Sequence, residues 1–214
     1  MLAGKGAKAL LRLFLFFRFH LKNKTMDTTA LSLLSTLERK AVERTINDIK
    51  KWIKPQGLDI QVTAQDDNEH PSRLGMYEAG SIYSKNIEIA IFPKAIHDYI
   101  ETYVTDWEID DDLQKAHWEI HDNIQKEYAA FQAAVTIYHE LGHALVEQII
   151  DWMENIPEFD EIIGEDSIEC YDAVLEDSLP EEELVEDFAW NSIQGKEHVL
   201  KVCFLELSEK LSKL

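Results

Sequence analysis

Between Asp122 and Asn155 the chain has no proline, and its residues separate into two stripes. Ile124, Tyr128, Phe131, Val135, Tyr138 and Val146 recur at helical spacings, while Gln132, Thr136, His139 and His143 form a polar stripe. The pattern predicts one long amphipathic helix, and the other segments are placed by relation to it. Within the helix stands His139-Glu140-Leu141-Gly142-His143. Residues four apart on a helix share a face, so the two imidazoles point the same way and suit one metal ion. Glu140 stands beside them as a carboxylate able to take a proton. His117 and His121 are also four apart, but Glu119 falls in the wrong place for the same pattern and no third ligand is at hand. That pair reads as a polar face leading into the main helix.

The chain has 214 residues, enough for one domain with a full core, and 45% hydrophobic content excludes a disordered protein. Net charge is −20, unevenly placed. Residues 1–25 hold Lys5, Lys8, Arg12, Arg18, Lys22 and Lys24 and no acid, which leaves 15 of the 21 basic residues and all 41 acidic ones in residues 26–214. So acidic a body repels a phosphate backbone, and nucleic-acid binding is excluded. Cys170 and Cys203 form no metal-binding pair and no disulfide framework; they read as free thiols of a reducing compartment, so a cytoplasmic location is expected.

Two regions are expected: an N-terminal extension, 1–25, and a folded domain, 26–214. The extension carries an apolar run, Ala9 to Phe19, broken by Arg12 and Arg18. It is too short and too charged for a membrane span. A weak export signal, a surface-lying helix over residues 9–21, an unstructured tail, and a misassigned start upstream of Met26 are its readings. A helix is expected over 28–53, capped by Thr28 or Thr29 and ended by Pro55 and Gly57. Leu58 to Thr63 reads as a strand, residues 65–75 as a loop, Ser81 to Tyr83 as a short strand, and Ile87 to Phe92 as an alternating strand stopped by Pro93. A helix follows over Ala95 to Trp107, then the acidic patch Glu108 to Asp112. Past the motif helix, Asp151 to Leu179 is an acidic surface insertion. Pro180 opens another helix, with Ser178 as cap and Glu181, Glu182 and Glu183 in its first turn. A last helix is expected over Lys196 to Leu211. The fold class is α+β: mostly helical, with a small β-sheet upstream of the motif helix.

A zinc site with an open position needs three protein ligands, and the segment PEEELVEDFAWNSI is the place for the third. Glu183 and Glu186 are three apart and share a face. Here the chain resembles the gluzincins, zinc metallopeptidases in which a Glu on a later helix completes the H-E-x-x-H site. Glu186-Asp187-Phe188-Ala189 is similar to their Glu-x-Phe-Ala pattern, also seen in the lethal-factor group, and makes Glu186 the implied ligand. Glu183 with Asp187 matches the thermolysin-type Glu-x-x-x-Asp spacing and is the alternative. Gly80-Ser81-Ile82-Tyr83 followed by the Ile87–Phe92 strand resembles the layout of small single-domain members, and a zincin-like fold is implied.

The resemblance implies a zinc-dependent metallopeptidase acting on a peptide or protein substrate. His139, His143 and Glu186 would hold Zn²⁺, and Glu140 would act as general base. Tyr138, Tyr171 and His198 are candidates for the oxyanion donor, Asp187 for a group that orients a ligand His, and strand Ile87–Phe92 for the edge that pairs with an extended substrate. The alternative is a zinc-binding regulatory or interaction protein without turnover.

Overall fold

The computed structural model describes residues 31–66, 72–78, 85–105, 114–156, 159 and 181–213, and for Glu78, 103–105 and 114–125 the backbone alone. Helix α1, Thr36–Ile53, is capped by Ser35, whose hydroxyl accepts from the Glu38 N–H while the Glu38 carboxylate accepts from the Ser35 N–H. This reciprocal pair satisfies two otherwise orphaned groups, so the helix starts at Thr36 rather than near Thr28. The first described residues include Leu31 and Leu34, which tuck into the core just before it. Val42, Ile46, Ile49 and Ile53 give α1 its buried face. A 3-10 turn, Lys54–Gln56, contains Pro55, and Gly57 turns the chain at φ 82°. Only a residue without Cβ takes that conformation freely.

Three strands follow: β1, Asp59–Ala64; β2, Gly75–Glu78; and β3, Asn86–Ile91. Their order is β1-β3-β2, with β1 parallel and β2 antiparallel to β3. The expected strands at 58–63 and 87–92 are present as β1 and β3. The segment read as a loop up to Gly75 leads into a strand instead: β2 is four residues long and opens on glycine, too short for alternation to reveal. Strand β3 is the middle of the sheet, flanked on both sides. It has no edge to offer a substrate, which corrects the expectation placed on Ile87–Phe92. Ile87, Ile89 and Ile91 are buried as expected, and Ala90 is buried on the other face beside Phe92 and Ala95. The proposed strand at Ser81–Tyr83, with Gly80, lies outside the described residues, as do the acidic patch, Ser178, Pro180, most of the acidic insertion and residues 1–25.

Helix α2, Pro93–Thr105, starts on the proline that stops β3. Helix α3, Gln114–Asn155, is the predicted motif helix, 42 residues long and so about 63 Å from end to end. Helix α4, Glu181–Ile193, packs along it, and helix α5, Val199–Leu211, closes the core. Among the described elements α3 contacts the α-helices α1, α2, α4 and α5 and strands β2 and β3. Its core face is Ala133, Ile137, Leu141, Ala144, Leu145 and Ile149, all buried. The aromatic stripe is turned away from that face. Val135, Tyr138 and Val146 are buried, but Phe131 and Tyr128 are 38% and 48% exposed. The stripe faces α4, and α4 ends there: Trp190, in its last turn, meets Phe131 with ring centroids 5.7 Å apart. The molecule is thus α+β, largely helical, with the small sheet preceding the motif helix in the chain. Among the described residues no helix is long and apolar enough to cross a membrane. Cys203 is buried in α5; Cys170 lies outside the described residues.

Candidate metal centre

A groove of about 1000 Å³ runs along α3. Its floor is α3 from Gln132 to Ile150, with α4 as one wall and Arg73 to Tyr77, entering and forming β2, as the other. Two glycines set its width. A Cβ on Gly142 would lie 2.8 Å from Val185 Cβ, so the glycine at the second unspecified position of the H-E-x-x-H pattern lets α4 approach closely. A Cβ on Gly75 would lie 2.4 Å from Thr136 Cγ2 and 3.2 Å from Glu140 Cγ, so β2 reaches α3 only because it starts on glycine.

His139 and His143 share the groove face as predicted, their Nε2 atoms 3.3 Å apart. The third group beside them is Glu182, the second residue of α4. Its carboxylate straddles the pair, Oε2 lying 3.5 Å from His139 Nε2 and Oε1 3.6 Å from His143 Nε2. Potential ligand atoms of these three residues all lie within 4.8 Å of one another. A metal ion in tetrahedral coordination at about 2.0–2.1 Å holds its ligand atoms about 3.3–3.4 Å apart; the two Nε2 atoms have that spacing, and the Glu182 distances, each to a different oxygen, are slightly longer. Glu186, the implied ligand, is one turn further along α4. It lines the groove and acts electrostatically on His139, but it is not part of the three-residue cluster. Glu183 neither joins the cluster nor lines the groove.

The two imidazoles are prepared differently. Glu181 Oε1 accepts from His143 Nδ1 at 2.6 Å. A carboxylate there keeps the proton on Nδ1 and leaves the Nε2 lone pair facing the cluster. Asp187 was the expected orienting group; instead its charge acts on His198. Burial, and then the neighbouring His143, lower the pKa of His139 below the ordinary imidazole value, against the pull of Glu182 and Glu186. That favours the neutral ring, the form that binds a metal.

Glu140 is half-buried between α3 and β2. Its Oε2 accepts the Tyr77 N–H at 2.7 Å. Burial pushes its pKa above the ordinary value, and the Tyr77 N–H and His143 offset that only in part. The carboxylate is therefore fixed in direction and more basic than a solvated one.

The other candidates fall elsewhere. Tyr138 is buried against Phe188, ring centroids 6.3 Å apart. His198 caps α5 by accepting the Leu200 N–H at 3.2 Å on Nδ1. Neither lines the groove, because each is used by the core, and Tyr171 lies outside the described residues. His117 and His121 sit on the first turns of α3, where side chains are not described. The sequence reading missed three groups: Glu181, Glu182 and the Tyr77 N–H. The two glutamates had a local explanation, since acids suit a helix's first turn, and that hid their role.

No family model matches the chain, and no curated protein or solved structure matches it at a significant level.

Proposed function

We propose that the chain is a zinc-dependent metallopeptidase hydrolysing peptide bonds, with Glu140 as general base and His139, His143 and Glu182 as the metal ligands. The observation that carries this reading is the grouping of the two Nε2 atoms, 3.3 Å apart, with the Glu182 carboxylate, one oxygen 3.5 Å from His139 and the other 3.6 Å from His143, beside the half-buried carboxylate of Glu140. Zinc held there would supply Lewis acidity toward water and toward a peptide carbonyl. The residues of the chain supply the rest. His143, oriented by Glu181, and His139, kept neutral by burial, bind the ion. Glu140 is held at Oε2 by Tyr77, so Oε1 takes the proton from the attacking water and returns it to the leaving amine nitrogen. The groove is long enough for several residues of an extended chain, which rises about 3.3 Å per residue. The H-E-x-x-H part of the gluzincin resemblance agrees with this reading, while its Glu-x-Phe-Ala part names a different glutamate. Glu186 is the competing third ligand, one turn of α4 away.

A second reading has its own observation. The Glu140–Tyr77 bond also ties the helix to the sheet, a role that suits a zinc-stabilised regulatory protein without turnover. Glu140→Gln separates the two readings, since a glutamine oxygen keeps that bond but cannot take the proton. Under the peptidase reading the variant retains one zinc per chain and loses roughly 10²–10⁴-fold in hydrolysis of a peptide substrate. Equal activity in wild type and variant would end the peptidase reading. Zinc analysis of Glu182→Ala and Glu186→Ala decides the third ligand: the variant that loses zinc names it. A wild type without zinc after reconstitution would end the metal site itself.

A further inference from the structure

The groove has a marked charge imbalance that catalysis does not require. Among the described residues five carboxylates line it (Glu140, Glu147, Glu181, Glu182 and Glu186) against the single guanidinium of Arg73. A bound dication offsets two of these charges, and the remainder is still negative. Two of the five neither belong to the cluster nor act on it as the proposed base or as the partner of a ligand histidine. Glu147 lies on α3 one turn beyond His143, and Glu186 lies on α4 one turn beyond Glu182; both are exposed. α4 runs antiparallel to α3, since Glu182 meets His143 while Trp190 meets Phe131. The two carboxylates therefore flank the centre in opposite directions along the groove. A helical turn advances about 5.4 Å and an extended peptide about 3.3 Å per residue. Each carboxylate thus meets a substrate side chain one or two residues from the bond at the centre.

A separate feature stands at one end. Trp190 lines the groove, is 42% exposed and is braced by Phe131. An exposed indole face attracts a guanidinium or ammonium group and also packs against an aliphatic stem. Beyond the groove, the whole chain carries a net charge of −20, which steers cations toward it.

We infer that the groove takes a cationic polypeptide segment, with Lys or Arg on both sides of the residue pair at the metal centre and a long basic side chain against Trp190. The inference rests on the reading of the groove as a peptide site and names its substrate class. An acidic segment would meet repulsion along the full length of the site.

The test is equilibrium binding of two fluorescein-labelled decapeptides to the zinc-loaded full chain carrying Glu140→Gln, so that nothing is turned over. Both peptides have the same central apolar pair; one carries four Lys or Arg around it, the other four Glu. The cationic peptide should bind on the order of tenfold or more tightly at low salt, with the gap narrowing as salt is raised. Glu147→Gln, at an exposed position, should weaken the cationic peptide by roughly two- to fivefold and leave a neutral peptide unchanged. Trp190→Ala should weaken it too, in high salt as well as low. Equal affinity for the two peptides, preference for the acidic one, or indifference to both variants would overturn the inference. The peptidase reading fails on different evidence: Glu140→Gln hydrolysing like wild type would end it while leaving the charge preference standing. Hydrolysis without charge preference would end this inference alone.

Discussion

At the scale of single residues, Gly142 and Thr136 show how closely the groove is built. Val185 stands 2.8 Å from where a Cβ on Gly142 would be, and neither helix backbone yields cheaply. Gly142→Ala should therefore push α4 outward. The expected cost is about 1–3 kcal/mol in denaturant unfolding, with weaker zinc binding because Glu182 travels with α4. Val185→Ala should restore part of both losses in the double variant; a purely additive result would show that this contact does not set the helix spacing. Thr136 presents the opposite case. Its hydroxyl is buried with no hydrogen-bond partner among the described residues. Thr136→Val keeps the shape and the methyl that meets Gly75 while removing the unpaired group. It should stabilise the protein by about 1 kcal/mol, read from the midpoint of urea unfolding; destabilisation would mean that the hydroxyl has a partner after all.

At the scale of elements, α1 is joined to α2 through one buried carboxylate. Glu38 is 1% exposed; it accepts the Ser35 N–H at 2.8 Å and lies 2.8 Å from His97 Nε2. Burial alone would raise its pKa, but the Ser35 hydrogen bonds and His97 outweigh that and hold it below its ordinary value. A depressed folded-state pKa contributes stability above the unfolded value of about 4.3, and this is lost as pH falls through the folded-state value. Wild type should therefore exceed Glu38→Gln in Tm at neutral pH, with the gap closing as pH drops below about 4. A gap independent of pH would mean that the charge of Glu38 contributes nothing. The same comparison explains what could be read in the sequence. α3 and its His pair depend on spacing within one helix, so they were legible. The start of α1 was misplaced because Ser35 and Glu38 stand downstream of equally plausible caps at Thr28 and Thr29. The residue of α4 that faces the histidines depends on how two helices cross, and that crossing is set by Gly142 against Val185 and Phe188. No periodicity in α4 itself carries that information, and Glu182 could not be told from Glu183 or Glu186 by spacing. β2 escaped notice because its place comes from pairing with β3 and from Gly75 lying on Thr136.

At the scale of the whole molecule, the proposed metal does more than polarise a substrate. Its proposed ligands come from α3 and α4, joined through a segment of 25 residues between Asn155 and Glu181. An ion bound at His139, His143 and Glu182 pins α4 onto the central helix across that segment. Since α4 also carries Val185 and Phe188 into the core, such metal binding would be linked to folding. With free zinc a hundredfold above its dissociation constant, the linkage contributes about 2.7 kcal/mol. For a chain of this size each kcal/mol moves Tm by about 2–4 °C, so chelation should lower Tm by roughly 5–11 °C. Added zinc should restore the loss, and added magnesium should not, because imidazole ligands suit zinc far better. His143→Ala should melt near the chelated wild type and gain nothing from zinc. Glu140→Gln should still respond, because it keeps the ligands. An identical Tm with and without chelator, in protein shown to carry zinc beforehand, would mean that the ion does not bridge the helices, and the assignment of a ligand on α4 would fall with it.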